Sequence, residues 1–208
     1  MFDSERQRFI PIQIYKPTSE IIHLPVVVIN HGYGVKNTEY SFIAEPLCQE
    51  GYFVICIQHD LPGDPELPRT GNLFERRKPL WESGEQNILF VLSELANAEN
   101  NLNLQRIILI GHSNGGDISM LFTSIHPELV EKVISLDSLR MPFPTKDCIS
   151  ILSLRANDTN ADAGVIPESG AIIIKLINAQ HIDMYDAGPE EIKREIMFLI
   201  DLFLKEKL

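Results

Sequence analysis

The feature that most constrains this chain is Gly111-His112-Ser113-Asn114-Gly115-Gly116. It lies between an apolar run, Arg106 to Ile110, and a helical pattern, Asn114 to Ile125, that stops before Pro127. An apolar run that turns at once into a helix leaves the turn's middle residue in strained backbone geometry. Glycines two positions to either side of Ser113 give that turn room. The serine hydroxyl then stands above a sheet edge, near a helix N-terminus that favours negative charge. A glycine-rich turn with an incidental serine is the bland alternative, and the strand-to-helix context argues against it.

The rest of the chain repeats the alternation. Val26 to Asn30 and Tyr52 to Ile57 are continuous apolar runs, as strands buried on both faces require. Lys132 to Leu136, Ile149 to Leu154 and Ala171 to Ile177 are further strands, and Phe9 to Tyr15 alternates like an edge or antiparallel strand. Glu39 to Glu50, closed by Gly51, Trp81 to Ala98 and Glu190 to Leu204 read as helices. Leu61 to Pro79, rich in proline, glycine and charge, reads as loop. Strands alternating with helices predict an α/β fold: one mostly parallel sheet covered on both faces. At 208 residues the chain suits a single domain over residues 1–208. The connection Asp137 to Cys148 is too short for a full crossover helix, and Arg155 to Gly170 leaves room for only a short one.

A net charge of −11 repels phosphate backbones and argues against a nucleic-acid partner. Cys48, Cys56 and Cys148 cannot all pair, which suits a reducing compartment. The polar start, Met1 to Arg8, shows neither signal peptide nor membrane span, and the expected location is the cytoplasm.

Two more segments bear on chemistry. His31-Gly32-Tyr33-Gly34 follows the strand Val26 to Asn30 directly. Acyl transfer passes through an oxyanion that needs preplaced N–H donors, and the natural ones are the amides of Tyr33 and Asn114. Of six histidines, His181 alone follows the last strand and precedes the last helix, where it can reach Ser113 as a base. The acid that orients the imidazole is expected at another strand end. Asp158, just past Ile149 to Leu154, is the first choice; Asp162 in the same loop is the rival and Asp137 a third option. Asp183 and Asp186 lie near His181 without metal-ligand spacing, so no metal or other cofactor is expected. Arg69, Arg76, Arg77 and Lys78 form a basic island, read as solvated loop charge in preference to an anion site.

The order HGYG, GHSNGG, an aspartate-bearing loop and then His181 resembles the α/β-hydrolase superfamily, from Val26 to the final helix. The resemblance implies about eight strands, a triad of Ser113, Asp158 and His181, and an oxyanion hole at Tyr33 and Asn114. It implies a serine hydrolase acting on a small-molecule carboxylic ester or thioester. An acyltransferase with the same triad, or a catalytically silent binding protein on the same fold, are the alternatives. The chain departs from the pattern in lacking a glycine before Asp158, where it has Arg155-Ala156-Asn157.

Overall fold

The computed structural model describes residues 1–18, 23–145 and 148–208. Its strands alternate side chains between two cores, as a period of two requires. Val26 and Val28 of β4 (Leu24–Asn30) face one core, and Val27 and Ile29 face the other. β5 (Phe53–Ile57) divides in the same way, with Phe53, Ile55 and Ile57 against Val54 and Cys56. Buried on both sides, these strands have no solvent face to mark with polar residues, which is why they read as unbroken apolar runs.

Among the described residues, seven strands form the main sheet, in the order β3-β5-β4-β6-β7-β8-β9. The others are β3 (Ile12–Tyr15), β6 (Leu102–His112), β7 (Val130–Leu136), β8 (Ser150–Arg155) and β9 (Ile172–Lys175). β3 is an edge strand antiparallel to β5, and the remaining neighbours pair in parallel. The alternating segment Phe9 to Tyr15 is therefore split. Arg8–Phe9, as β2, pairs with β1 (Phe2–Asp3) in a separate two-stranded ribbon.

Helix α1 (Ser41–Gln49) and helix α4 (Glu190–Leu204) cover one face through Ile43, Leu47, Ile192, Ile196 and Ile200. Helices α2 (Leu73–Ala98) and α3 (Asn114–Ile125) cover the other through Trp81, Ile88, Val91, Ile118 and Phe122. The segment read as loop up to Pro79 is thus helical from Leu73 onward. The Asn72 side chain accepts a hydrogen bond from the Glu75 amide and caps the new start. Pro79 inside the helix removes one backbone bond. The Phe74 ring, 5.7 Å from that of Trp81, packs this first stretch down. Arg76, Arg77 and Lys78 consequently lie on a helix. Arg76 and Arg77 donate to the carbonyls of Thr70 and Pro68, tying the preceding loop to α2.

The two short connections hold no helix among the described residues; residues 146 and 147 of the first lie outside them. Among the described residues no helix is long and apolar enough to cross a membrane.

Candidate active site

Strand β6 delivers Ser113. The serine follows His112 with φ 53° and ψ −119°, a conformation L-residues adopt only when their surroundings hold them there. Close packing holds it. A Cβ at Gly111 would overlap the Gly115 carbonyl, and one at Gly115 would overlap the carbonyls of Asn30 and His31. The Ser113 amide donates to the Leu136 carbonyl at 2.9 Å, so the elbow is pinned to β7.

His181 arrives from the far side of the sheet, on a short 3₁₀ turn (His181–Asp183) after β9. Its Nε2 lies 2.8 Å from Ser113 Oγ. Its Nδ1 lies 2.6 Å from Asp137 Oδ2, so the carboxylate fixes Nδ1 as the protonated nitrogen and leaves Nε2 free to accept.

The acid beside the imidazole is therefore Asp137, and the expectation for Asp158 is corrected. Asp158 Oδ1 accepts the backbone N–H of His181 at 2.8 Å. Asp162, the rival, pairs with Arg140. The reason lies in strand order. β7 is the neighbour of β6, with Leu136 in register with His112, so the next residue of each strand stands at the same sheet edge. β8 is one strand further away, and Asp158 lies three residues beyond its end. Neighbouring strands are about 4.8 Å apart, so an acid on the adjacent strand reaches the imidazole over Ser113 more readily.

Asp137 is fully buried, with φ 55°, a left-handed conformation that aspartate tolerates better than most residues. Its Oδ1 accepts the Ala156 amide at 3.1 Å and faces Arg155 Nη2 at 2.9 Å, and its Oδ2 also accepts from the Thr159 hydroxyl. Burial alone would push the carboxyl up. The His181 hydrogen bond, the Arg155 guanidinium and the Thr159 hydroxyl outweigh it and hold Asp137 below the usual carboxylate range. Arg155 and Thr159 carry no pattern that sequence reading could have singled out. Asp137 does carry one: it ends the buried strand Val130–Leu136 with no intervening residue.

The amides of Tyr33 and Asn114 donate to no protein group among the described residues. Asn114 is the first residue of α3, whose opening N–H groups have no intrahelical acceptor. Its side-chain Oδ1 accepts from Trp81 Nε1 at 2.8 Å. The loop bearing Tyr33 is held by neutral histidines. His31 Nδ1–H donates to the Gly32 carbonyl at 2.7 Å, and its Nε2 accepts the His59 amide at 2.8 Å. Burial keeps both His31 and His59 below the usual histidine range. Tyr33 and Asn114 share a cavity of about 360 Å³ with Pro79, Leu80 and Ile118, and the charged residues Arg8, Asp60, Asp64, Glu66 and Arg76 also line it. A groove of about 500 Å³ beside Lys132 and Phe203 opens at the opposite ends of the strands, away from this chemistry. No group of three or more metal-ligating side chains occurs among the described residues.

Comparison with known proteins agrees with this architecture. A putative esterase/lipase from Haemophilus influenzae is 30% identical over 129 residues, covering 62% of this chain and 39% of that relative. This chain thus spans well under half of that protein's length. Among solved structures, Est1E from Butyrivibrio proteoclasticus superposes with a TM-score of 0.64 at 13% identity, covering 94% of this chain and 95% of that one. Est816, described as an N-acyl homoserine lactone degrading enzyme, gives 0.63 at 15% identity over 93% and 96% of the two chains. A ferulic acid esterase from Streptomyces cinnamoneus gives 0.60 at 20% identity, over 79% of this chain and 54% of its own. At these identities the superpositions speak for the fold alone. The family model for the alpha/beta hydrolase fold matches residues 25–155, from β4 through the turn at Ser113 to the end of β8, and the chain belongs to that family.

Proposed function

We propose that the protein is a serine hydrolase that cleaves a carboxylic ester or thioester through an acyl-enzyme on Ser113. The observation that carries the reading is the continuous line from Ser113 Oγ through His181 to buried Asp137, at 2.8 and 2.6 Å.

The chemistry follows from that line. His181 Nε2 takes the hydroxyl proton as Ser113 Oγ attacks the substrate carbonyl. Asp137 keeps Nε2 as the accepting nitrogen and stabilises the imidazolium without taking the proton itself. The carbonyl oxygen becomes an oxyanion facing the amides of Tyr33 and Asn114, donors already ordered before the charge develops. Collapse breaks the bond to the leaving alcohol or thiol, which receives the proton from His181. Water, deprotonated by the same imidazole, then releases the acid and restores Ser113.

The cavity beside Tyr33 and Asn114 favours small substrates. Its volume of about 360 Å³ lies at the lower end of ordinary ligand pockets, and Pro79, Leu80 and Ile118 give it an apolar wall for a short acyl group. Turnover of p-nitrophenyl esters of graded acyl length, beside acyl-CoA thioesters, tests the reading. The expected result is a preference for short acyl groups that vanishes in Ser113→Ala. Undiminished turnover by Ser113→Ala would overturn it.

A further inference from the structure

His112 and Tyr40 lie next to the reacting groups, and neither side chain hydrogen-bonds Ser113 Oγ or the ring nitrogens of His181. His112 is buried within the elbow, between Gly111 and Ser113, and Tyr40 stands at the start of α1. The Tyr40 hydroxyl lies 2.8 Å from the Gly32 amide and 2.8 Å from His112 Nδ1. His112 Nε2 in turn lies 2.9 Å from the His181 carbonyl oxygen.

The donors and acceptors allow one arrangement. The Gly32 N–H can only donate, so the Tyr40 oxygen accepts it and directs its own hydrogen to His112 Nδ1. That nitrogen must be unprotonated, which puts the imidazole hydrogen on Nε2. The His181 carbonyl can only accept, and it receives that hydrogen. Burial first, and the neighbouring His181 second, push His112 down to about 3, so the ring stays neutral and keeps one donor and one acceptor.

We propose that Tyr40 and neutral His112 are positioning residues that tie the oxyanion loop to the loop carrying the base. The proposal rests on the serine-hydrolase reading and adds a second link between two loops already joined where the Asp186 amide donates to the Glu39 carbonyl. One end of the link fixes Gly32, whose neighbour Tyr33 supplies an oxyanion amide. The other end fixes the backbone of His181, whose N–H is held by Asp158. Asp186 braces the same region by capping α1 from the base loop, accepting the Ser41 and Phe42 amides at 2.9 Å each. The base loop and the oxyanion loop are thereby both referenced to α1 and to the elbow. A shift of either would move oxyanion donors and base out of register with Ser113, and geometry at this level controls the rate of the chemical step more than substrate binding.

The test compares Tyr40→Phe, His112→Leu and His112→Gln with the wild type in kcat and KM for p-nitrophenyl acetate. Folding of each is checked by circular dichroism and thermal melting. Tyr40→Phe, which removes one oxygen and releases Gly32, should lower kcat by about tenfold or more, toward the effect of losing an oxyanion donor, with KM nearly unchanged. His112→Leu should lower kcat at least as far. His112→Gln retains a donor and an acceptor on one side chain and should recover most of the loss. Folded Tyr40→Phe and His112→Leu proteins with wild-type kcat would overturn the proposal while leaving the serine-hydrolase reading intact. A wild type inert to esters and to fluorophosphonates would overturn that reading instead. Nitrogen-15 NMR of the histidine rings reads the link without activity: His112 should show protonated Nε2 and bare Nδ1, and the opposite tautomer would overturn it.

Discussion

The loops after β7 and β8 each bring an aspartate to His181, and they hold different parts of it. Asp137 holds the imidazole Nδ1, and Asp158 holds the backbone N–H. Asp137 follows its strand immediately, is buried, and is surrounded by Arg155, Thr159 and the Ala156 amide. Asp158 lies three residues past its strand and is exposed. The contrast separates two tasks that look identical in sequence. A buried carboxylate that must stay charged beside a ring needs compensating donors. One that pins a loop amide needs only an acceptor oxygen.

Asparagine substitution divides the two most sharply. Asp137→Asn removes the charge and permits the wrong imidazole tautomer, so turnover should fall about a thousandfold or more with the fold retained by circular dichroism. Asp158→Asn keeps an acceptor oxygen for the His181 N–H and should stay near wild type. Asp158→Ala, which loses that hydrogen bond, should cost about tenfold at most, in line with one exposed bond. Equal losses in the two Asn variants would erase the distinction.

Arg155 sharpens it further, because Asp137 has a buried counter-ion and Asp158 has no ion pair among the described residues. Arg155→Met leaves the Asp137 charge buried with its guanidinium counter-ion gone. Urea unfolding should show a loss of about 3–5 kcal/mol, the usual result of breaking a buried pair from one side. A loss below 1 kcal/mol, about the worth of a surface pair, would mean the guanidinium does not stabilise the acid.

Acid pH gives the smallest effect. The unfolded chain protonates Asp137 near its ordinary value of 3.8, whereas the folded chain holds it charged to lower pH. The unfolded state therefore binds more protons in that window. Stability contributed by Asp137 is present above pH 3.8 and is lost as pH falls through the depressed folded value. Urea midpoints measured across this range should fall less steeply in Asp137→Asn than in the wild type.

The same contrast explains what the sequence could tell. The elbow was legible because its determinants are local: Gly111 and Gly115 bracket Ser113 within five residues, and Asn114–Ile125 is helical over the predicted span. The sheet was legible in class, since buried strands carry continuous apolar runs, although seven strands stand in it where about eight were expected. His181 could be placed by order along the chain, and the structure brings it to Ser113. The acid could not be fixed, because the choice among Asp137, Asp158 and Asp162 depends on which strand lies beside β6. That is settled by long-range packing and leaves no local mark. The start of α2 was hidden for a different reason: Pro79 looks like a helix breaker, and only the Asn72 cap and the packing of Phe74 on Trp81 make the stretch before it helical. Tyr40, Arg155 and Thr159 have ordinary sequence surroundings and acquire their roles only through contacts made across the sheet.

The proposed chemistry requires an activated hydroxyl at Ser113, dependent on His181 and Asp137. Reaction with a fluorophosphonate probe, followed by intact-mass and peptide mass spectrometry over time, reads this without knowledge of the natural substrate. The account predicts a single phosphonyl adduct on the peptide containing Ser113. It also predicts no adduct in Ser113→Ala, and labelling that is strongly slowed in Asp137→Asn but not in Asp158→Asn. An adduct that persists in Ser113→Ala, or labelling of Ser113 at an unchanged rate in Asp137→Asn, would contradict it.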